Sequence, residues 1–411
     1  MPLLILRAET PCVPLFLPHN AAMRKRSAIF FGICLLVGLL CGINIGHGEE
    51  RIWLQAEING KPVRLLFDTG SSVSMLTESA ANRLGLKVHM PINGLEEIGA
   101  PETIIIGISE KCSLLLGTNL TQDVFTVIRF PKQPGFDGFV GWQGMKNSII
   151  FIEPSLNRMT ILKALPKDIS TWIKFPISAK QEVLALEEPF KGRHKPVIML
   201  DTGRCSGVAL LASGWREWKA VHSGQPSTLT GYYTPEVGVV VKEEVWAERF
   251  SLGPLELSDV PIMEANQAEV QAAASPYYQA TLGLAALHGV EIIVDGRHRV
   301  VYFRPTTTPA RPYEHNRLGA VFVADGSGNK DHVASVIEGS PAYQAGIRNG
   351  DVLLEIDHVD IEKANAARGR FDEPAGTKME LTLKRGDRVF TTSVELKNIL
   401  GPASSLPEST K

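Results

Sequence analysis

The chain has 411 residues, of which 44% are hydrophobic and 21% are charged, an ordinary globular composition. At about 100–200 residues per domain, this length predicts two to four domains and excludes a single small one. The 42 Lys and Arg residues are balanced by 44 Asp and Glu, which gives a net charge of −2 at pH 7. No basic excess marks a nucleic-acid binder, so neither DNA nor RNA is an expected partner.

The first element in chain order is an apolar targeting segment. Three basic residues at 24–26 precede an uncharged run over 28–46, which is the order found in secretory signal peptides. The run also approaches the ~20 residues that span a bilayer, so residues 23–48 are predicted to be either a cleaved signal peptide or a retained membrane anchor. Both alternatives place the rest of the chain outside the cytoplasm, in the periplasm or secreted. We expect residues 1–22 to be an over-extended N-terminus, with Met23 as the true start.

Two segments of the body are similar to each other. RLLFDTGSSVSML spans 64–76 and VIMLDTGRCSGVALL spans 197–211, and in each an apolar β-type run ends in Asp-Thr-Gly. A short helix is predicted after each turn, at 77–84 closed by Gly85 and at 212–220. An internal repeat of two related β lobes is therefore predicted.

The similarity continues downstream of both turns. FVGWQG at 139–144 corresponds to TLGLAA at 281–286, and the Pro-rich TTTPARP at 306–312 then marks a linker to a different module. The predicted boundaries, in chain order, are lobe 1 at 49–163, a connector at 164–176, lobe 2 at 177–305, a linker at 306–314, a third domain at 315–398 and a flexible tail at 399–411.

Two such turns brought together across a pseudo-twofold axis would form a pair of acids. The carboxyl groups of Asp68 and Asp201, about 3 Å apart, would share one proton, because like charges so close cannot easily both ionise. The ionised member can take a proton from a water molecule, while the protonated member supports the developing oxyanion of a peptide carbonyl. This pattern favours amide hydrolysis.

The remaining residues of the turns would support this pair. Gly70 and Gly203 leave room for the backbones to approach, and the hydroxyls of Thr69 and Thr202 can hydrogen-bond across the interface. Neither a metal nor a cofactor is needed, and the ten histidines show no metal-ligand spacing. The plainer alternative is that both are Asx-type turns that only end strands.

The motifs FDTGSS and LDTGRC, with FVG and TLG downstream, resemble those of the pepsin and retropepsin superfamily of aspartic proteases. The resemblance implies a mainly β fold with two pseudo-twofold-related retropepsin-like β-barrel lobes. It also implies that Asp68 and Asp201 are the catalytic dyad and that a polypeptide substrate lies in the cleft between the lobes. A β-hairpin flap would close over the substrate, and residues 93–99 and 231–236 are the candidates.

One position departs from the family pattern. Ser71 follows the first turn and can donate a hydrogen bond to Asp68, whereas Arg204 holds the equivalent position of the second turn. A guanidinium aimed at the dyad would favour ionisation of both carboxyl groups. We expect Arg204 to turn outward, to solvent or to an acidic partner. The alternatives to an active endopeptidase are a catalytically inactive peptide-binding or scaffold protein, and a protease that a partner activates by repositioning Arg204.

The C-terminal module carries EGSPAYQAGIRNGDVLLEID at 338–357. This run is similar to the PDZ domains of exported bacterial proteases, which implies a small α+β domain that recruits or regulates substrate. The resemblance assigns Leu318, Gly319 and Ala320 to the loop whose backbone amides hold a peptide C-terminus. The plainer alternative is a domain that packs against the lobes without a ligand. Residues 242–244 are predicted to be a solvated strand end.

Overall fold

A computed structural model describes residues 51–90, 96–97, 104–130, 135–187, 196–234, 238–266, 270, 275, 277–309, 312–324, 331–361 and 369–402. Over these residues the protein is mainly β, and its strands form four sheets. The segment predicted to be a signal or anchor, at 28–46, lies outside the described residues. Within the described part, no helix combines the length and the apolar character that crossing a bilayer requires.

The first lobe is a curled sheet whose strands begin with a tight hairpin. The two-residue turn at Asn59 and Gly60 has positive φ at both positions, which suits the twist of the strands on either side. Its strands are β1 (Trp53–Ile58), β2 (Lys61–Asp68), β3 (Ser74–Thr77), β4 (Val88–His89), β5 (Glu96–Glu97), β6 (Ile104–Ser109), β7 (Cys112–Leu116), β8 (Asn119–Asp123), β9 (Phe125–Arg129) and β10 (Gly138–Gly141). Their order is β4-β6-β9-β3-β10-β2-β1-β7-β8, and β5 pairs with β6.

Short helices follow the two Asp-Thr-Gly turns where the sequence predicts them. Helix α1 (Glu78–Leu84) begins after Thr77, whose hydroxyl accepts the amide of Ala80, and it ends at Gly85 in the left-handed conformation. The other helices of the two lobes are α2 (Trp142–Met145), α3 (Ala212–Val221) and α4 (Leu284–Leu287), with 3-10 turns at Pro154–Leu156 and Ile169–Thr171.

The second lobe repeats the arrangement of the first. Between the lobes lie β11 (Ile149–Glu153), β12 (Arg158–Leu162) and β13 (Ile173–Pro176). The second lobe contains β14 (Ala185–Glu187), β15 (Val197–Leu200), β16 (Val208–Leu210), β17 (Ser227–Thr234), β18 (Gly238–Leu252), β19 (Leu255–Glu264) and β20 (Tyr278–Leu282), followed by β21 (Val290–Asp295) and β22 (Val300–Pro305). Its sheet order is β14-β15-β20-β16-β19-β18-β17.

Both lobes contribute strands to one shared sheet, in the order β12-β11-β21-β22-β13. Strands β11 and β21 pair antiparallel, with Phe151 opposite Ile293. These two residues are related by the same sequence offset that relates Gly141 to Gly283, so the pairing places a pseudo-twofold axis between the lobes. The prediction of two related β lobes is confirmed, while the exact boundaries stay predictions.

The third module has a hydrophobic core of its own, which includes Leu318, Leu353 and Leu381. Its elements are β23 (Ala320–Ala324), β24 (His332–Val336), α5 (Pro341–Gln344), β25 (Val352–Ile356), β26 (Val359–Asp360), a 3-10 turn at Arg370–Asp372, β27 (Lys378–Arg385) and β28 (Arg388–Glu395). Strand β23 lies at the edge of the sheet, and Gly231 of β17 approaches its Val321 side chain. The module therefore packs against the second lobe.

Candidate active site

The two Asp-Thr-Gly turns meet at the interface between the lobes. The Thr69 hydroxyl donates to the Leu200 carbonyl at 2.7 Å, and the Thr202 hydroxyl donates to the Phe67 carbonyl at 2.8 Å. Each threonine hydroxyl also accepts the backbone amide of the other threonine, at 3.0 and 3.1 Å. All these atoms are buried, so this reciprocal set of bonds fixes one turn against the other.

The glycines of the turns leave room for the acids. A Cβ atom at Gly70 would lie 2.4 Å from the Cγ atom of Asp201, and one at Gly203 would lie 2.6 Å from the Cγ atom of Asp68. Each carboxyl group thus lies over the glycine of the opposite turn. Each also accepts the amide of its own glycine, at 3.0 Å for Asp68 and 2.9 Å for Asp201.

Neighbouring strands hold the two acids from behind. Strand β10 runs parallel to β2 and places Gly141 opposite Asp68. Strand β20 runs parallel to β15 in the same way, and its Leu282 carbonyl accepts the amide of Asp201 at 2.9 Å. The apolar-apolar-Gly motifs of the sequence therefore lie directly beside the turns.

The two carboxyl groups are almost fully buried and hydrogen-bond to each other. Burial, together with the neighbouring charge of Asp201, raises the pKa of Asp68 well above its ordinary value. Burial also raises the pKa of Asp201, although the positive charge of Arg204 opposes this shift. The pair therefore binds a proton more tightly than isolated carboxylates do, and it titrates as one unit.

The residues after each turn make equivalent backbone contacts but different side-chain contacts. The Ser71 and Arg204 carbonyls accept the amides of Trp142 and Leu284, both at 2.8 Å. The Ser71 hydroxyl donates to the Val73 carbonyl at 2.9 Å, so the expected bond from Ser71 to Asp68 is replaced by a local turn. The nearby Val73 carbonyl therefore takes the hydrogen bond that the sequence analysis assigned to the Asp68 carboxyl group.

Arg204 does not extend into solvent, which was one of its two expected positions, while the other, beside an acidic partner, stays a prediction. It is half-buried, its Nε atom donates to the Ser206 hydroxyl, and its Nη2 atom lies 3.1 Å from Met263 Sδ. The aliphatic part of a long cationic side chain packs well on apolar surface, which explains this position along β19. The guanidinium is still close enough to Asp201 to lower the pKa of that acid.

Two further charged residues beside the site have no signal in the sequence. The Arg51 Nη1 atom donates to the Gly203 carbonyl at 3.1 Å, and its charge lowers the pKa of Asp68. Glu244 is only 2% exposed, so the prediction of a solvated strand end at 242–244 is wrong for this residue. It is buried because it lies in the middle of β18, between β17 and β19, and accepts a hydrogen bond from Tyr313.

The two flap candidates are only partly described. Of residues 93–99, only 96–97 are described, as β5 paired with β6. Of residues 231–236, the first four belong to β17, which forms a long hairpin with β18. The rest of both candidates lies outside the described residues, and the flap stays a prediction.

The loop predicted to bind a peptide terminus is already engaged by the chain itself. The amides of Leu318 and Gly319 donate to the Asn316 Oδ1 atom at 2.9 and 3.1 Å. Gly319 has a φ of +71°, and a Cβ atom there would lie 2.3 Å from Ser340 Cβ, which keeps the loop tight against α5. Leu318 and Ala320 are fully buried. A carboxylate seeking these amides would have to displace the Asn316 side chain.

Across the described residues, no group of three or more His, Cys, Asp or Glu side chains is placed to hold a metal ion.

Comparison with known families identifies two regions. Residues 54–95, which include the first Asp-Thr-Gly turn, match the family described as aspartyl protease, and residues 332–385 match the PDZ domain family. A solved structure, the retroviral protease-like domain of Ddi1 from Leishmania major, covers 29% of this chain and 96% of its own, with 21% identity and a TM-score of 0.24. The chain is thus similar to aspartyl proteases in its first lobe and carries a PDZ domain near its C-terminus.

Curated relatives share only a short part of the chain. A protein named as a zinc metalloprotease from Clostridium perfringens is 38% identical over 66 residues, which is 16% of this chain and 20% of that protein. The serine protease HhoA of Synechocystis is 38% identical over 74 residues (18% of each chain), and a do-like serine protease of Buchnera aphidicola is 34% identical over 67 residues (16% of this chain and 14% of its own). The chain therefore spans a fifth or less of these relatives, whose names give proteases of other chemical classes.

Proposed function

We propose that this protein is an aspartic endopeptidase in which Asp68 and Asp201 activate a water molecule against a peptide bond. One observation carries the proposal: two buried carboxyl groups from related turns lie over each other's glycines, hydrogen-bond to each other and have raised pKa values. A buried acid pair is costly unless it has a function, and a pair that shares one proton can act as acid and base together.

In the proposed reaction Asp68 carries the shared proton and Asp201, closer to the charge of Arg204, is ionised. Asp201 takes a proton from water while the water oxygen attacks the peptide carbon. Asp68 gives its proton to the carbonyl oxygen, which produces a tetrahedral diol. The proton held by Asp201 then passes to the leaving nitrogen, the C–N bond breaks, and the carboxylic acid product returns a proton to the pair.

The PDZ domain is proposed to recruit or regulate polypeptide substrate through Leu318, Gly319 and Ala320. Action outside the cytoplasm, with residues 28–46 as a removed signal or an anchor, belongs to the same proposal.

A scaffold protein with a protease-like cleft is the alternative from another functional class. This alternative requires that the charge of Arg204 keeps both acids ionised, so that they share no proton. The raised pKa values of both acids favour catalysis instead, because burial outweighs the effect of Arg204. Replacement of Arg204 by serine separates these possibilities, since a gain in cleavage would show that Arg204 restrains a competent site.

The direct test replaces each acid by its amide. Asp68→Asn and Asp201→Asn should each lower kcat by at least about 100-fold, because an amide can neither take the proton of water nor share one. The loss is measured with the purified protein that contains both lobes and the PDZ module, as the rate at which it cleaves a denatured protein substrate. The assay runs from acidic to neutral pH, with and without an inhibitor directed at the acid pair.

Asp168→Asn is the matched control, since this carboxylate is 52% exposed and pairs with Arg304. It should cleave like the parent, and circular dichroism should show that all three variants are folded. Full activity in either dyad variant would refute the proposal.

A further inference from the structure

Glu244 lies at the junction of the second lobe and the PDZ module. It lies in strand β18, next to the edge strand of its sheet, opposite Thr228 on β17 and Met263 on β19. Its Oε1 atom accepts the Tyr313 hydroxyl at 2.6 Å, and Tyr313 belongs to the linker that enters the PDZ module. A buried acid is costly, and Glu244 is only 2% exposed, so its retention calls for a partner charge or a role.

The partner charge is Arg204. Directly opposed residues of antiparallel strands project on the same face of a sheet, so Glu244 and Met263 are neighbours on one face. The Nη2 atom of Arg204 lies on the sulfur of Met263, at 3.1 Å. The charge of Arg204 thus acts on two acids, Asp201 and Glu244, and lowers the pKa of both.

We propose that Glu244 is a positioning residue for the active site, whose carboxylate offsets the charge of Arg204 so that Asp68 and Asp201 keep their shared proton to higher pH. The inference rests on the proposed function, because it concerns the same acid pair. It assigns a role to a residue remote from the Asp-Thr-Gly motifs and connects that pair, through Tyr313, to the PDZ module.

Among the described residues, other groups also act on or lie near Glu244. Asp372 of the PDZ module acts in the opposite sense to Arg204 and raises the pKa of Glu244. On the neighbouring strands, Thr228 donates its hydroxyl to the Asn316 carbonyl, and Glu264 is bound by Lys242. Within the part of the chain that the structure describes, Arg204 is the cation found to lower the pKa of Glu244.

The sign of the effect depends on the charge of Glu244. Burial raises the pKa of Glu244 to about 7. Well below this pH Glu244 is neutral and Arg204 is not offset, whereas above it Glu244 is ionised and offsets Arg204. The pKa at which the pair loses its shared proton is therefore higher with ionised Glu244 than without it.

Glu244→Gln should leave kcat/KM unchanged on the acidic side and move the alkaline limb of the pH profile to lower pH by about 0.5–1 unit, a roughly 3- to 10-fold lower rate on that limb. In an Arg204→Gln background the limb should start at higher pH, and Glu244→Gln should again move it to lower pH, because the two charges act on the pair additively. Glu243→Gln is the matched control, since Glu243 points to the other face and binds Lys219. It should leave the profile unchanged.

A second experiment titrates the pair directly, by NMR of labelled aspartate carboxyl carbons in the protein that contains both lobes and the PDZ module. It tests the inference without turnover. A shift of the pair's titration to lower pH in Glu244→Gln supports the inference even if no peptide is cleaved, in which case only the proposed function fails. An unchanged titration, or an equal loss of rate at every pH, overturns the inference.

Tyr313→Phe provides a second variant if Glu244→Gln does not fold. The Tyr313 hydroxyl lowers the pKa of Glu244, so its loss should delay ionisation of Glu244. A smaller shift of the pair's titration in the same direction is expected, and no shift overturns the inference.

Discussion

Each acid of the pair has an arginine beside it, and the two arginines come from different parts of the chain. Arg51, just before β1, reaches the Gly203 carbonyl and lowers the pKa of Asp68. Arg204, within the second turn, lowers the pKa of Asp201. Burial is the larger effect on both acids, so the arginines limit how far the pKa values rise without removing the shared proton.

Substitution of Arg51 should therefore move the pH profile in the direction opposite to that of Glu244→Gln. Loss of the positive charge raises the pKa of Asp68, so the alkaline limb of kcat/KM should move to higher pH by about 0.5 unit in Arg51→Gln. Arg51→Lys should show a smaller shift. A pH series on one peptide substrate measures it.

Arg83→Gln serves as the control for Arg51, because Arg83 is 48% exposed and pairs with Asp137 on the first lobe. Its profile should overlay that of the parent. A shift of Arg51→Gln toward lower pH would contradict the electrostatic account.

At the scale of single residues, the sequence predicted contacts that follow from the repeat itself. Thr69 and Thr202 meet because both copies carry the same turn, and a pseudo-twofold axis brings equal residues together. Arg51, the bond made by Ser71 and the burial of Glu244 could not be predicted, since their surroundings depend on packing or on turn geometry that no local pattern encodes.

At the scale of elements, the ends of strands β10 and β20 pack closely against the two Asp-Thr-Gly turns. Gly283, at the end of β20, lies so close to the second turn that a Cβ atom would be 2.2 Å from the Ser206 carbonyl oxygen. Gly141 has the same relation to the Val73 carbonyl, at 2.2 Å. Backbone atoms cannot yield like flexible side chains, so both positions require glycine.

Gly283→Ala should consequently lower the free energy of unfolding by roughly 1–3 kcal/mol and reduce activity, because the added methyl group pushes the second turn away. Thermal and urea unfolding of the purified body measure the loss.

Gly214→Ala is a control of opposite sign. Gly214 lies inside α3 with open space around its Cβ position, so alanine should stabilise the protein by roughly 0.5–1 kcal/mol through helix propensity. Equal stability of the two variants would contradict the role given to β20.

The sequence also predicted the helices after the turns closely, at 77–84 and 212–220, because helix-forming runs are local signals, and the first helix also has capping residues. The hairpin of β17 and β18 was harder. Residues 231–236 were predicted only as a candidate flap, and the length of β18 follows from its pairing with β17 and β19.

At the scale of the whole molecule, the shared sheet joins the lobes into one unit. Strand β11 of the first half pairs with β21 of the second, and one hydrophobic core includes Phe67, Leu200 and Phe303. Because the two acids belong to one covalent chain, the pair does not depend on association of two molecules.

Activity per molecule should therefore be constant when the purified protein is diluted from micromolar to nanomolar concentration. Initial rates at fixed substrate, with carrier protein to prevent surface loss, measure this. A specific activity that falls with dilution would indicate that a complete site needs a second molecule.

The side chain of Asn316 has a consequence that extends across both modules. It satisfies the amides of Leu318 and Gly319 with its oxygen, while its nitrogen donates to the Leu229 carbonyl on β17 at 3.0 Å. A peptide carboxylate that accepted hydrogen bonds from those two amides would displace the Asn316 side chain. The hydrogen bond from Asn316 to the Leu229 carbonyl would then break as well. Ligand binding at this loop would thus remove one hydrogen bond between the PDZ module and the β17–β18 hairpin, while the bond from the Thr228 hydroxyl to the Asn316 backbone carbonyl would remain.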